Sequence, residues 1–255
     1  MSPPRAFLDA CVLYPPLVRG CLLSAAAEGL LVPLWSPRVL EEWARASLRD
    51  HGPEGERAAR VEAALMADRW PQAVAADGDG DVGRPTTCAP EADPVGTRSA
   101  PETDERPTKG RHGADERPTR GRRKADGGPT FAAPSPDACG TDSKAGPRPE
   151  TTLPDPADVH VLEAALAADA DLLVTSNLKD FPAPKLRALG LAPISPDALL
   201  WELAGRSPEA ASAALARALR PFPHLAGDPK EAARALKRAR LPRLAKLVRT
   251  GALGL

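Results

Sequence analysis

Apolar residues in this chain fall into short dense runs, separated by turn residues and by stretches with helical spacing. Ala6-Phe7-Leu8 is one such run, closed by Asp9, and it predicts the start of a strand. After the break at Tyr14-Pro15-Pro16, Leu17, Cys21 and Ala25 share one face, which predicts a helix from Leu17 to Glu28 ended by Gly29. Leu30 to Trp35 predicts a buried strand. Ser36-Pro37 then pairs an N-cap residue with proline at the first helical position, opening a helix through Val39, Leu40 and Trp43. Gly55 to Ala67 is a further helical stretch.

The pattern resumes after Pro154-Asp155-Pro156. Asp158 precedes Val161, Leu162, Ala165 and Leu166 at helical spacing, and Asp171 to Thr175 is a compact apolar strand. Leu186 to Leu189 ends at Gly190, Ile194 predicts a short strand, and Ser195-Pro196 opens a helix from Asp197 to Leu203. Strand and helix in alternation, joined by short turns, predict an α/β fold with a mostly parallel sheet covered by helices. Ligands of such sheets sit at the carboxyl ends of the strands. Asp9 and Asn177 each follow a strand directly and belong at that rim.

Residues 77–150 break the pattern. They hold 11 Pro and 11 Gly, with only Val82, Val95 and Phe131 as large apolar residues. Such a segment has too little apolar surface to offset the entropy of ordering it, and predicts a disordered insert. It carries a near-repeat, DERPTKGR at 104–111 and DERPTRGR at 115–122, in which acids alternate with bases. The predicted organisation is a core in two parts, 1–76 and 151–205, an insert at 77–150, and a basic helical extension at 206–255.

Charge sharpens this division. The whole chain is balanced, with 34 basic and 34 acidic residues, but 151–205 carries 3 basic and 8 acidic, and 206–255 carries 11 basic and 3 acidic. An acidic segment followed by a basic one suits a cation site with an anion-binding surface nearby, and equally a solvated basic helix. In the basic part, Arg234, Lys237, Arg238, Arg240, Arg243, Lys246 and Arg249 accompany an apolar face of Ala233, Leu236, Leu241, Leu244 and Leu247. This predicts two short helices broken at Leu241-Pro242 that pack on the core, touch anionic phosphates or bind a partner. Other backbone-binding candidates are Arg38, Arg45 and Lys179.

Cys11, Cys21, Cys88 and Cys139 form no CxxC pair, which argues against a zinc site or a redox pair. The opening MSPPRAFLDA lacks the apolar run of a secretory signal, and no stretch approaches the roughly 20 apolar residues of a membrane helix. The expectation is a cytoplasmic protein with reduced thiols.

The chemistry-bearing residues are carboxylates. Asp155, Asp158 and Asp180 surround one helix and one strand, and Asp9 ends another strand. Like charges at close range raise one another's pKa, and a divalent ion relieves the repulsion. Magnesium prefers such hard oxygen ligands. Each residue also has a structural role to fill. Asp9 suits a strand-end turn, Glu42 a helix surface beside Glu41, Asp158 a helix N-cap, and Asp155 a turn between prolines. His160, on another face from Asp158, and Cys11, small and apolar in character, read as structural. Trp35 and Trp43 read as core.

FLDACVLYP at 7–15, WSPRVLEEWARA at 35–46, LPDPADVHVLEAAL at 153–166 and LLVTSNLKDFP at 172–182 together resemble, in order, the signature blocks of PIN-domain ribonucleases, above all the bacterial toxin-like ones. The resemblance covers 5–76 and 151–203. It implies a three-layer α/β/α sandwich whose acids bind Mg²⁺ or Mn²⁺ and cleave single-stranded RNA. By the resemblance Asp9, Glu42 and Asp158 are the first three acids. Many relatives carry Asp where this chain has Asn177. Asp180 is therefore assigned as a supporting acid and metal ligand, Asn177 as a metal-shell or water-positioning residue, and Thr175 as a hydrogen-bonding ligand residue. Cys11 replaces the Asn or Ser common in relatives. The resemblance further implies a toxin with a cognate antitoxin protein, and a homodimer. A dehalogenase-like phosphatase would need a second Asp at position 11. A degenerate PIN module that binds RNA or protein without cutting is the remaining alternative.

Overall fold

A computed structural model describes residues 2–75 and 153–254, which fall within one compact unit. Four parallel strands form the sheet: β1 (Arg5–Leu8), β2 (Val32–Leu34), β3 (Leu172–Val174) and β4 (Ala192–Ile194), in the order β2-β1-β3-β4. The register aligns Phe7 with Leu34 on one side and with Leu173 on the other, and Leu173 with Pro193. Composition follows position. The central strands β1 and β3 bury Ala6, Phe7, Leu8, Leu172, Leu173 and Val174, as a parallel sheet covered on both faces requires. The edge strands β2 and β4 each have proline in the middle, where a missing ladder donor is tolerated. The strand expected over Leu30 to Trp35 covers three residues, Val32 to Leu34. Trp35 continues outward through a single parallel bridge to Val74.

The helices begin and end where the sequence punctuates them. After the short α1 (Ala10–Leu13), α2 (Pro16–Ala27) stops before Gly29, whose φ of 71° suits glycine. Ser36 caps α3 (Pro37–Arg69) by accepting from Val39 N at 3.3 Å, and Ser195 caps α6 (Pro196–Arg206) by accepting from Ala198 N at 3.2 Å. Helix α3 joins the two expected helical stretches across a kink at Gly52, with φ 68° and ψ −166°, followed by Pro53. Arg60 reaches back over the kink to Glu41, donating at 2.8 and 3.1 Å. Between β2 and β4 in the chain stand α4 (Val159–Ala167) and α5 (Ala183–Ala188).

The C-terminal region is part of the packed body. It comprises α7 (Pro208–Leu219), α8 (Pro223–Ala226), α9 (Pro229–Arg238) and α10 (Pro242–Arg249), with the expected break at Leu241-Pro242. Helix α7 lies against α2, α9 against α10, and α10 against α6. Leu236, Leu241, Leu244 and Val248 are buried, so of the three roles open to this region, packing on the core is realised. Asp197 fastens it: its carboxylate accepts from Arg243 N at 2.9 Å and from Leu244 N at 3.2 Å, capping α10 from the start of α6. Among the described residues no helix is long and apolar enough to cross a membrane. The expected insert at 77–150 lies outside the described residues.

Candidate metal and phosphodiester site

Asp9 closes β1 at the carboxyl rim, and its backbone N–H extends the ladder to Val174 O at 3.1 Å. It occupies the N-cap position of α1, yet its side chain accepts no backbone N–H of that helix. Instead Oδ2 accepts from the Thr175 hydroxyl at 2.7 Å and from the Cys11 thiol at 3.0 Å. Cys11 Sγ in turn accepts from Ser176 N at 3.2 Å. The ends of β1 and β3 are thus joined through side chains, and both of these side-chain bonds fall on the same Asp9 oxygen. Burial and the Asp9 carboxylate push the Cys11 thiol up to about 12, so it is a neutral donor rather than a nucleophile.

Asp158 shows the same withholding. It stands at the N-cap of α4 without a side-chain cap bond. The turn before it, Pro156–Asp158, is capped by Asp155, which accepts from Ala157 N at 2.8 Å, as expected of a turn residue. Asp158 is half-exposed, and its pKa is raised to about 6, first by burial and then by the negative charges of Asp9, Asp155 and Asp180, with His160 opposing. The fold therefore brings two of the expected acids, Asp9 and Asp180, within electrostatic reach of a third, Asp158. Asp180 is held from the turn after β3: Asn177 Nδ2 donates to Asp180 Oδ2, and Asn177 N donates to Thr175 Oγ1 at 3.0 Å. Asn177 and Asp180 work as a pair, the amide orienting the carboxylate.

Glu42 joins by a different route. Its Oε1 lies 3.0 Å from His160 Nε2 and 3.8 Å from Arg38 Nε. The His160 contact is one of charge, because the buried Nε2 has no aligned hydrogen-bond partner. Nδ1 of the same ring lies 2.7 Å from Ala157 O. Burial works against the charged imidazole, but Glu42 and the Ala157 carbonyl outweigh it, and the His160 pKa is raised. Sequence reasoning assigned His160 to structure alone; its contact with Glu42 links the second acid to the helix that carries Asp158. Its only sequence signal was its position two residues after Asp158. The neighbouring Glu41 is occupied by Arg60 and Arg45, consistent with a structural role.

The donor set suits a hard divalent ion: carboxylates, an amide and a hydroxyl, with excess negative charge. Among the described residues no three His, Cys, Asp or Glu side chains already converge as a metal cage. The fit therefore lies in donor chemistry and charge alone. The acids lie outside the groove of about 250 Å³ lined by Leu23, Leu65, Met66, Trp70 and Arg217. Compared with family models, curated proteins and solved structures, the chain matches none.

Proposed function

We propose that this protein is a metal-dependent endoribonuclease of the PIN type, with Asp9, Glu42, Asp158 and Asp180 as its acids. The observation that carries the reading is the withheld caps. Two aspartates stand at helix N-cap positions and neither caps, although capping is the usual structural role of Asp there. Both belong instead to a group of acids in which burial first, and then the negative charge of Asp9, Asp155 and Asp180, raises the Asp158 pKa. The four resembling sequence blocks, in family order, supply the family, the three-layer sandwich and the RNA substrate. They also supply the reading as the toxin of a cytoplasmic toxin–antitoxin pair, with a small antitoxin protein as partner and a homodimer as the working form.

In this reading Mg²⁺ or Mn²⁺, when bound, acidifies a water and offsets charge on the phosphate. Asp9 holds its place through Thr175 and Cys11 and keeps its second oxygen for the ion. Asp180 is aimed by Asn177, and Glu42 is braced by His160 and Arg38. Asp158, ionised above pH about 6, completes the acid set.

The test is cleavage of a labelled single-stranded RNA with Mn²⁺ or Mg²⁺, comparing the wild type, Asp158→Asn and an EDTA control. Metal-dependent cutting that the variant loses is the expected result, and the same pair expressed in a bacterium should differ in growth arrest. Cutting that survives in Asp158→Asn removes the assignment. Folded wild-type protein that neither cuts nor binds metal in calorimetry is the degenerate module that binds without cleaving.

A further inference from the structure

The outer faces of α9 and α10 carry a dense positive charge. Lys230, Lys237, Arg238, Arg240, Lys246 and Arg249 are exposed, and no ion pair among the described residues engages them. The acids of this region are spoken for: Asp228 caps α9, and Glu231 pairs with Arg234. Beside the charge stands an aromatic ring. Trp201 of α6 is 46% exposed, and the Arg243 guanidinium lies 5.6 Å from its centroid. Cations next to an exposed indole suit a polyanion with stackable bases, which is single-stranded nucleic acid. An anionic membrane fits poorly. The apolar residues that such helices would insert, Ala232, Leu236, Leu244 and Val248, are buried in the protein.

The surface also connects to the acid rim. Asp197, which anchors the N-terminus of α10, follows β4 closely, and Thr175 N donates to Ile194 O at 3.1 Å. With adjacent strands about 4.8 Å apart, β4, whose end leads into Asp197, lies roughly 10 Å, or two strands, along the sheet from the strand that ends in Asp9.

We propose that the outer face of α9 and α10, with Trp201, is a docking surface for single-stranded RNA that leads the phosphate backbone to the acid rim. The choice of RNA rests on the nuclease reading; the charge and the exposed ring do not. The phosphates would lie along Lys237, Arg238 and Lys246, and a base would stack on Trp201.

The test uses full-length protein carrying Asp158→Asn, in EDTA, with a labelled single-stranded oligouridylate followed by anisotropy across a salt series. Lys237→Glu/Arg238→Glu/Lys246→Glu should weaken binding at least ~10-fold and lower the salt slope by about 2, since each phosphate left without its cation removes about 0.7. Trp201→Ala should weaken binding by about tenfold while leaving the slope unchanged. Thermal melts confirm that both variants fold. Parent-like binding by both variants overturns the proposal. So does competition by polyglutamate equal to that by RNA with no effect of Trp201→Ala, which would make the partner an acidic protein. Because metal and cleavage are absent from this assay, a failed nuclease reading leaves its result legible. Binding that depends on these residues, in a protein that never cuts, would remove the enzyme and keep the surface.

Discussion

A carboxylate at the start of a helix ordinarily accepts from the backbone it precedes, and the departure at Asp158 has a measurable consequence. Its folded pKa of about 6 stands above the ordinary 3.8, first through burial and then through Asp9, Asp155 and Asp180. The folded protein therefore holds a proton that the unfolded chain has already released in this interval. Stability from this group is full below pH 3.8 and is lost as pH rises through about 6. The carboxyl is half-exposed, so screening leaves about 1 kcal/mol of destabilisation at neutral pH. Asp158→Asn in EDTA should raise the melting temperature by about 2–4 °C near pH 7.5, with the difference gone near pH 4. Added Mn²⁺ should stabilise the wild type more than the variant. Equal melting temperatures at both pH values would mean that neither burial nor the neighbouring acids disfavour the Asp158 carboxylate. Cleavage should rise with pH at or below about 6, because a bound cation favours the Asp158 carboxylate.

At the scale of elements, local signals and long-range partners separate cleanly. The two Ser-Pro starts, the glycine stop after α2 and the apolar runs of β1 and β3 were legible because each is decided by residues a few positions apart. The amphipathic spacing of α9 and α10 said that one face would be buried, but spacing alone does not say against what. Asp197 is the missing piece. In the sequence it reads as an acidic first-turn residue of α6; in the fold it is buried and caps α10 from a distant part of the chain. His160 and Glu42 were obscure for the same reason, since their contact joins two parts of the core far apart in sequence. Asp197→Ala removes the acceptor for Arg243 N and Leu244 N, and should cost about 1–2 kcal/mol of stability. A urea melt measures this. Asp197→Asn should recover part of the loss, because an amide oxygen still accepts. A loss below about 0.3 kcal/mol would show that α10 is held by its apolar contacts alone.

At the scale of the whole molecule, the sheet is assembled from chain on both sides of 77–150, the segment expected from composition to be an insert. Strands β1 and β2 come from before this segment and β3 and β4 from after it, yet β1 and β3 are neighbours in register at the centre. The central pair needs both halves of the core, so residues 2–75 and 153–254, which fall within one compact unit, should unfold together. A connection that only ties the halves together enters stability through loop closure, and shortening it should stabilise by about 1–2 kcal/mol. Replacing 78–149 with a short Gly-Ser linker should therefore leave a single melting transition at an equal or higher temperature. It should also leave metal-dependent cleavage in place, since Asp9, Glu42, Asp158 and Asp180 all lie outside the replaced stretch. The two readouts separate distinct failures. A broad or split transition would show that the segment supplies packing to the core. A sharp transition with altered cleavage would show instead that the segment acts on the rim or on the RNA path while contributing nothing to the fold.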